Sequence, residues 1–491
     1  MDIYTIIIAI IAFILSFVLF YKRDRKYKLP PGPRAFPIIG TMYDTSIISF
    51  HKMTSLRKSY GDIALFYAGP IRMVLLNSLE LCKDTFVNNA KVLSDRGIRK
   101  SLSAHTLNPH EKGLLDNDYT TELRENRSHS LTIMRNLGVG RSTMEERILE
   151  EASTLVEVIK SENGKAFNPF STLSQSVANV ILSVVLSKRY EHNDPELLGI
   201  IQLADDEIAC GTDSFLIDSL NFLRFIPPFS RSFKRMVECD QGMIDYMWKY
   251  AKQHMMENDG QDTDFVYGWI NKNSSKQKES PGALDEENLK YILRDLILAG
   301  TETTATSLKW TILHLTNNPD IQTKLHKEID DSIGMDRAIR LADRDQLPYL
   351  DALILEIQRF NTVAPIALPH TTYVDTKIGD FDIPADTAVC SNLAAIHYDE
   401  ATFKDPYAFR PERFIDSDGK FIKHPNVVPF GIGKRSCIGE LLARQELFLF
   451  TAALVQHFRF LPPEGVEKID EEGIFNFTYG PKKYKVRAEP R

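Results

Sequence analysis

Apolar residues recur along this chain at two spacings, which separate predicted helices from predicted strands. An apolar residue returns every four positions across 321–333, and residues 350–360 carry a second amphipathic helical pattern. Short apolar runs at 63–67 and 73–76 flank a Gly-Pro turn and predict two strands, and a further strand-rich region spans 371–393. The chain is therefore expected to be mainly α-helical with small β-sheets, an α+β fold.

The longest predicted helix begins with acidic residues at 285–287, which suit a helix N-terminus, and ends at Asn317. It exceeds the usual helix length of about 8 to 20 residues, so it is expected to cross the body of the protein. The polar stretch 271–282 has no apolar periodicity and predicts an exposed loop before it. Within the helix, Gly300 and the threonines that follow are poor helix formers, which predicts a local distortion.

Residues 3–21 form an almost unbroken apolar stretch, followed at once by Lys22, Arg23, Arg25, Lys26 and Lys28. About 20 such residues span a bilayer, and positive charges after them predict that the rest of the chain faces the cytosol. A cleaved signal peptide would carry its charges before the apolar core, and a mitochondrial presequence would be amphipathic and Arg-rich. We therefore expect a transmembrane anchor at 1–21, followed by a basic, proline-rich linker at 22–40.

The composition narrows the possible partners and the compartment. With 491 residues, 43% hydrophobic and 25% charged, the chain has an ordinary globular composition. Its net charge of −7 argues against a nucleic-acid partner, because no basic balance is present to neutralise phosphates. The five cysteines are odd in number and widely scattered, which suits a reducing compartment.

The segment 430–439 places one cysteine in a glycine-rich loop before a helical run at 440–458. Two glycines in the loop permit a tight turn, and Gly439 lets a large flat ligand approach the start of the helix. Backbone N–H groups and the helix dipole at this position favour the ionised form of Cys437. A lone cysteine is more often a small buried hydrophobe, but the spacing and the glycines here favour a thiolate that binds haem iron.

The pattern Phe-x-x-Gly-x-Arg-x-Cys-x-Gly is met by Phe430, Gly433, Arg435, Cys437 and Gly439. It resembles the haem-binding signature of the cytochromes P450. The resemblance extends from the prolines at 30–33 to 485–487 and is similar to the animal microsomal, family-2-like type. It implies one large catalytic domain at 41–491 with the cytochrome P450 fold, haem b as its cofactor and Cys437 as the axial ligand.

The hexapeptide 299–304, Ala-Gly-Thr-Glu-Thr-Thr, lies in the middle of the longest predicted helix and resembles the oxygen-activation motif of that family. The resemblance implies that Ala299 leaves room for O₂ and substrate beside the haem. It also implies that Glu302 and Thr303 pass protons to the dioxygen as it is reduced. The alternative is that these threonines only bond to the preceding turn of a buried helix.

By the same resemblance, Arg96, Arg127, His370 and Arg435 bind the haem propionates. Arginine suits a carboxylate because its planar fork can bind both oxygens. One position departs from the family, whose Trp-x-x-x-Arg motif begins here with Leu123, so one N–H donor is lost. Weaker retention of haem is therefore expected.

Glu356 and Arg359 are three positions apart on a predicted helix, near enough for an ion pair. Such pairs usually lie on a solvated face, but the apolar neighbours predict burial here, and a buried pair needs further hydrogen bonds. Arg413 matches the third member of the family's Glu-Arg-Arg cluster. The expected role of this cluster is to fix the core behind the cysteine loop.

The resemblance implies a monooxygenase that inserts one oxygen atom of O₂ into a lipophilic substrate, such as a lipid, steroid or xenobiotic. No Gly-x-Gly-x-x-Gly fingerprint is evident in the sequence, so electrons are expected from an NADPH-dependent flavoprotein reductase. A basic patch of Arg124, Arg135 and Lys434 could attract that partner. The expected location is the endoplasmic reticulum membrane, with the catalytic domain in the cytosol.

Several apolar positions resemble the family's substrate contacts, namely 363–368, Phe475, Phe477 and Tyr479, and the segment 225–229 is expected to contact the membrane. An ordinary core position is the alternative for each of them. Two other functions stay open at this point: a haem-thiolate isomerase or dehydratase, and a non-catalytic haem-binding protein. Glu302 and Thr303 count against the first, whereas Leu123 gives slight support to the second.

Overall fold

The computed structural model describes residues 24–44, 49–97, 101–140, 142–257, 263–276 and 286–491. The predicted anchor at 1–21 therefore lies outside the described residues. Within them, the helix Pro169–Leu186 is long and apolar enough to cross a membrane, but 78% of it is buried inside the protein. Its burial identifies this helix as part of the core.

A four-stranded sheet contains the predicted hairpin. Strands β1 (Ile63–Ala68) and β2 (Ile71–Leu76) pair antiparallel around the turn at Gly69 and Pro70. The sheet continues from β2 to β6 (Thr387–Ser391), which is parallel to it, and then to the antiparallel β3 (His370–Thr372). Three smaller two-stranded sheets pair β4 (Thr376–Ile378) with β5 (Phe381–Ile383), β7 (Phe458–Leu461) with β10 (Arg487–Pro490), and β8 (Gly473–Phe475) with β9 (Tyr479–Pro481).

Helices make up most of the described structure, as predicted. The first group consists of α1 (Phe50–Tyr60), α2 (Leu79–Lys83), α3 (Leu102–Leu107), α4 (Thr121–Asn136), α5 (Ser142–Ser161), α6 (Pro169–Leu186), α7 (Pro195–Ala209), α8 (Gly211–Ser219), α9 (Phe229–Glu257) and α10 (Phe265–Lys276). The second group consists of α11 (Glu286–Asn317), α12 (Pro319–Ser332), α13 (Pro348–Phe360), α14 (Leu393–His397) and α15 (Glu440–His457). The predicted helices at 321–333, 350–360 and 440–458 are confirmed as α12, α13 and α15.

Local chemistry explains where the core helices begin. The Asn168 side chain accepts a hydrogen bond from the backbone N–H of Phe170, and Pro169 occupies the first turn of α6, where a missing N–H costs nothing. Asp194 caps α7 in the same way, ahead of Pro195. These caps satisfy the free N–H groups of helices whose apolar faces then pack into one large core.

The longest helix, α11, is buried along most of its length and packs against α6, α7, α9 and α15. It is continuous from Glu286 to Asn317, so the predicted local distortion is not found. Its hydroxyl side chains bond to the preceding turn instead: Thr303 Oγ1 donates to Ala299 O at 2.9 Å, and Ser307 Oγ donates to Thr303 O at 3.1 Å. Burial of the helix outweighs the weak helix propensity of these residues.

The predicted loop at 271–282 is wrong for residues 271–276, which belong to α10. The buried side chains of Phe265, Val266 and Trp269 anchor the start of this helix, and α10 packs against α4 and α6. Once a helix is nucleated by packing, polar residues extend it at little cost. Residues 277–285 lie outside the described part of the chain.

The described part of the predicted linker lies against the sheet. The backbone N–H of Leu65 donates to Pro31 O at 2.8 Å, and Asp24 pairs with Arg72 at 2.6 Å. A Cβ at Gly32 would lie 1.9 Å from Leu65 O, so this position between prolines requires glycine. The boundary between linker and domain at 40 stays a prediction.

The predicted Glu-Arg-Arg cluster is fully formed and buried. Glu356 accepts hydrogen bonds from Arg359 Nε at 2.7 Å and Arg359 Nη2 at 2.8 Å, and from Arg413 Nε at 3.0 Å. Both members of the Glu356–Arg359 pair have side chains that are 0% exposed. Arg359 Nη1 also donates to His397 O at 2.9 Å, and the His397 ring accepts from the backbone N–H of Val428 at 2.9 Å. The cluster thus reaches the cysteine loop through one histidine.

Glu356→Ala is expected to destabilise the protein by about 3–5 kcal/mol, because it leaves two buried guanidinium groups without a carboxylate. Urea unfolding followed by tryptophan fluorescence measures the change. The control is Glu146→Ala, whose partner Arg340 is exposed, and this change should cost no more than about 1 kcal/mol. Equal losses in the two variants would contradict a special role for the buried cluster.

Candidate functional site

The cysteine loop has the tight turns that its glycines predict. The backbone N–H of Cys437 donates to Phe430 O at 2.9 Å, which closes the loop. Gly433 has φ of 82°, and a Cβ there would lie 2.3 Å from Phe86 O. No other residue fits at this position without moving the backbone. The Arg444 guanidinium covers the Phe430 ring at 4.8 Å from its centre and so holds the base of the loop.

Cys437 lies immediately before α15, and its surface is exposed to a space that the surrounding protein largely encloses. Backbone N–H groups of Gly439 and Glu440 point at the Cys437 sulfur, as predicted, and lower its pKa together with Arg127. The surrounding protein displaces bulk water and raises the pKa more, so the net shift is upward. A Cβ at Gly439 would meet only the sulfur itself, at 3.9 Å, which leaves the space beside the sulfur open.

Three arginines form a cluster of positive charge near the loop. Arg435 donates to Asn117 O at 2.7 Å, Arg96 donates to Leu368 O at 2.9 Å, and Arg127 donates to Ser436 O at 2.7 Å. Burial lowers the pKa of Arg435 to about 8, with repulsion from the other two arginines as a further cause, and burial lowers that of Arg96 to about 10. Since arginine stays charged in proteins, these shifts record the cost of burying like charges together.

His370 lies beside this cluster on β3. Its Nδ1 donates to Leu93 O at 2.8 Å, because a carbonyl oxygen can only accept, and its ring packs on Phe86. Burial and the nearby Arg96 lower the pKa of His370 well below its usual value. The neutral ring then presents an unprotonated Nε2, so His370 can donate to a carboxylate only when it is protonated.

The middle of α11 exposes two residues of one helical face. Ala299 and Thr303 are four positions apart and exposed, although the helix around them is buried. Gly300 packs against Ile181, where a Cβ would lie 3.0 Å from the isoleucine side chain. A small residue and a hydroxyl therefore share the exposed face of α11, whereas Gly300 faces α6.

Glu302 is held on a different face of α11 from Thr303. Its carboxylate accepts from Thr306 Oγ1 at 2.5 Å and pairs with Lys309 Nζ at 3.2 Å. Burial, and then the negative charge of Glu302, raise the pKa of Asp205 on α7 to about 6. The structure therefore places the predicted acid and the predicted alcohol on one helix, but it does not bring the carboxylate to the Thr303 hydroxyl.

The segment 113–118 lies between two oppositely charged groups. Asp295 on α11 accepts from the backbone N–H groups of residues 114 and 115 at 2.7 and 3.0 Å. On the other side, Arg435 donates to the carbonyl oxygens of residues 115 and 117 at 2.8 and 2.7 Å. The same segment thus connects α11 to the arginine cluster.

Arg294 is buried among four carboxyl groups next to this segment. Its guanidinium lies 2.8 Å from Asp295, 2.9 Å from Asp240 on α9 and 3.5 Å from Asp116, and it also attracts Glu207 on α7. Burial raises the pKa of Glu207 to about 8 and that of Asp295 to about 6. One guanidinium therefore ties α7, α9 and the segment 113–118 to α11.

These residues fit the haem that the sequence predicts. The Cys437 sulfur would supply an iron ligand, and the open space at Gly439 suits a flat ring. Among the residues that the structure describes, Arg96, Arg127 and Arg435 form no ion pair, and their guanidinium groups donate to backbone carbonyls. Such a donor set is suited to two carboxylates.

Other residues of the site were not found from the sequence. Lys309 could have been noticed, because this lysine follows Glu302 by seven positions in a stretch of apolar and hydroxyl residues. Asp205 gave no signal, since the run 205–207 reads as a solvated acidic face. Asp295 and its partners in the segment 113–118 are far apart in sequence, and only the fold brings them together.

Comparison with known proteins identifies the family. The family model described as Cytochrome P450 matches residues 30–488. Cytochrome P450 2U1 of Mus musculus is 32% identical, over 99% of this chain and 95% of that protein. Cytochrome P450 2D14 of Bos taurus is 31% identical over 99% and 97%, and cytochrome P450 2D1 of Rattus norvegicus is 31% identical over 100% and 97%. The matched region starts at the prolines where the sequence resemblance also starts.

Asp295→Ala is expected to free the two amides that its carboxylate holds, so hydrogen exchange should become faster at 113–118. Arg294 keeps two other carboxylates in this variant, so the fold should persist. The control is Asp116→Ala, which removes the weaker contact with Arg294 at 3.5 Å and leaves the hydrogen bonds of Asp295 in place. Mass spectrometry of exchanged peptides measures the effect, and parent-like exchange in Asp295→Ala would show that Arg435 alone holds the segment.

Proposed function

The chain belongs to the cytochrome P450 family and is a haem-thiolate monooxygenase, and on this premise we propose that it hydroxylates a lipophilic substrate with electrons from an NADPH-dependent flavoprotein reductase. The observation that supports this best is the Cys437 sulfur, held by two backbone N–H groups at the start of α15. A substrate such as a lipid, steroid or xenobiotic suits the exposed apolar side chains of Phe222, Phe225 and Phe477.

Haem b is the proposed cofactor, with Cys437 as its axial ligand. When bound, haem supplies O₂ binding and reductive O–O cleavage, which electron donation by the thiolate favours. Phe430 and Gly433 fix the loop, and Gly439 leaves room for the ring. The protein's own share is to hold the sulfur, orient the ring and move protons.

The arginine cluster is proposed to bind the haem propionates. Arg96, Arg127 and Arg435 bring three positive charges, and two propionate carboxylates would offset the burial that lowers their pKa values and the repulsion that adds to it for Arg96 and Arg435. His370 can join these arginines as a propionate donor only if its ring is protonated. Because its Nδ1 is committed to Leu93, it must be protonated to donate to a carboxylate, and a nearby anion would favour that form.

Ala299, Glu302 and Thr303 are proposed to serve oxygen activation. Ala299 is a small residue on the exposed side of α11. The Thr303 hydroxyl donates to Ala299 O, so its lone pairs are free to accept a proton, and it would pass on its own proton by giving up that hydrogen bond. Glu302 is the proposed source of that proton. To deliver it, the carboxyl must leave Lys309 and Thr306, which lie on another face of the helix.

An exposed apolar surface supports the proposed contact with the membrane. Phe222, Phe225 and Ile226 are 53%, 71% and 45% exposed. Ile38 is 51% exposed, and its carbonyl approaches the same glycine, Gly69, as the end of α8. A bilayer would cover these side chains, so we place the protein on the endoplasmic reticulum membrane, with the predicted anchor at 1–21 and the catalytic domain in the cytosol.

Positions proposed to meet substrate divide into two kinds. Phe477 is 49% exposed and touches α8 at Gly211, which suits a pocket position. Tyr479 is instead buried and stacks on Phe50 at 4.2 Å, so it belongs to the core. The apolar surface of Phe477 favours a lipophilic substrate that arrives from the bilayer.

The reductase is proposed to dock on the side of the cysteine loop. Arg124, Arg135 and Lys434 are exposed, and the Lys434 ammonium lies 5.2 Å from the centre of the Tyr119 ring. A surface of this charge attracts an acidic electron donor. An isomerase or dehydratase would need no such partner, so consumption of NADPH coupled to product separates the two reactions.

The reduced, CO-bound protein is expected to show the strongly red-shifted Soret band of thiolate ligation, and Cys437→Ser should abolish it. The reason is that a serine hydroxyl cannot supply a thiolate to the iron. Cys239→Ser is the matched control, because Cys239 is buried in α9 and should leave the band intact. A red-shifted band that survives in Cys437→Ser would contradict the assigned ligand.

Leu123→Trp is expected to slow the loss of haem to apomyoglobin about fivefold, the worth of one hydrogen bond of about 1 kcal/mol. Leu123 is buried on α4, one turn before Arg127, so an indole N–H there would lie on the same helical face as that arginine. Leu123→Phe is the control for added bulk without a donor. If both variants lose haem at the same rate, the missing N–H does not weaken retention.

A further inference from the structure

A buried amide at the start of α11 joins three parts of the fold. Asn288 lies in the first turn of α11 and is 0% exposed. Its Oδ1 accepts a hydrogen bond from Asn126 Nδ2 on α4 at 2.7 Å, and its Nδ2 donates to Glu122 Oε1, also on α4, at 2.6 Å. Lys112, just before the segment 113–118, donates to the same Glu122 oxygen at 2.6 Å. Asn288 therefore holds α4 at two points.

These contacts hold one face of α4, and Arg127 lies on the neighbouring face. Glu122 and Asn126 are four positions apart and so share a face. Leu123 and Arg127 each follow by one position, about 100° further around the helix axis. From there, Arg127 Nη2 donates to Ser436 O in the cysteine loop at 2.7 Å. A rotation of α4 at the contact with α11 would therefore displace Arg127 from the loop.

The two amides are a costly choice for a core position. Asn126 is also 0% exposed, and its Oδ1 has no hydrogen-bond partner among the described residues. Apolar side chains would fill this volume without burying polar groups, but apolar packing alone specifies the orientation of a helix less uniquely. A buried hydrogen-bonded pair is satisfied in one register only. The bonds to Asn288 thus fix the orientation of α4 as well as its attachment.

The same face of α11 supports the segment that Arg435 holds. Asn288 and Asp295 are seven positions apart, about two turns of the helix, and so share a face. The backbone N–H of Gly113 donates to Asn288 Oδ1 at 3.4 Å, and Asp295 accepts from the next two amides. A Cβ at Gly113 would lie 2.6 Å from Asp295 Oδ2, so the segment lies close against the helix. Asn288 therefore aligns α4 with the partner segment of Arg435.

The orientation of α4 matters more in this chain because Leu123 carries no hydrogen-bond donor. Of the two positions Leu123 and Arg127, only the arginine can bind a propionate. We propose that Asn288 is a positioning residue for haem retention, which acts through its two bonds to α4 to hold Arg127 at the cysteine loop. This inference rests on the proposed binding of a propionate by Arg127.

The first experiment measures the transfer of haem from the haem-loaded full chain to apomyoglobin and needs no turnover. Asn288→Ala should lose haem about fivefold faster than the parent, the effect of one lost hydrogen bond. Asn317→Ala is the matched control, because Asn317 lies at the other end of α11 and bonds to residues 469 and 471 instead of α4. It should lose haem at the parent rate. A parent rate in Asn288→Ala, or an equal acceleration in both variants, overturns the positioning role.

A second variant separates orientation from stability. In the double variant Asn126→Leu, Asn288→Leu, apolar side chains of similar size replace both amides, so the Tm should stay near that of the parent. Haem loss should still be about fivefold faster, because the hydrogen bonds that fix the register of α4 are gone. Haem loss at the parent rate in this double variant overturns the proposal.

A double-mutant cycle with Arg127→Ala tests whether Asn288 acts through that arginine. Asn288→Ala should speed haem loss about fivefold in the parent, but by less than about twofold in the Arg127→Ala background, because coupled residues are not additive. A general loosening of the fold would speed haem loss by the same factor in both backgrounds. That result overturns the positioning role.

Arg127→Ala alone separates this inference from the proposed function. If it speeds haem loss and Asn288→Ala does not, the positioning role is overturned and the propionate role of Arg127 stands. If Arg127→Ala matches the parent, the propionate role fails and the positioning role fails with it. Faster loss in both single variants, with the reduced effect in the double variant, supports both.

Discussion

The buried carboxylate of Glu356 holds the framework on which the cysteine loop depends. Arg359 and Arg413 each donate hydrogen bonds to this carboxylate and to backbone carbonyls. One of these carbonyls is His397 O. His397 then accepts from Val428, two residues before the loop. Burial lowers the pKa of His397 to about 3, so its ring stays neutral and can accept this bond. Apolar residues could fill the same volume, but they would offer no donors to those carbonyls.

Positive and negative charge are separated around the site by a strip of backbone. The segment 113–118 turns N–H groups toward the carboxylate of Asp295 and carbonyl oxygens toward Arg435. The partly positive N–H groups therefore face the Asp295 carboxylate, and the partly negative carbonyl oxygens face the Arg435 guanidinium. This arrangement keeps three arginines available on one side while Arg294 and four carboxyl groups remain on the other. It also means that a shift of α7 or α9 reaches the arginine cluster through a single short segment.

Those parts of the fold that depend on local pattern were predictable from the sequence. The hairpin, the bounds of α11 and α15, the turn at Gly433 and the buried Glu356 pair each follow from neighbours in the chain. The predicted loop at 271–276 failed because packing of Trp269 and its neighbours extends a polar helix. Long-range contacts were not predictable: nothing near Asp205 in sequence indicates that the charge of Glu302, almost one hundred positions later, raises its pKa.

The geometry of α11 explains why other residues determine whether Glu302 and Thr303 can meet. Successive residues of an α-helix are separated by about 100° around its axis, so Glu302 and Thr303 cannot share a face. Ala299 and Thr303 repeat on the exposed face, whereas Glu302, Thr306 and Lys309 repeat on another face of the helix. The resting place of the carboxyl is therefore set by residues outside the motif. Whatever holds Glu302 on that second face also keeps its carboxyl away from the Thr303 hydroxyl.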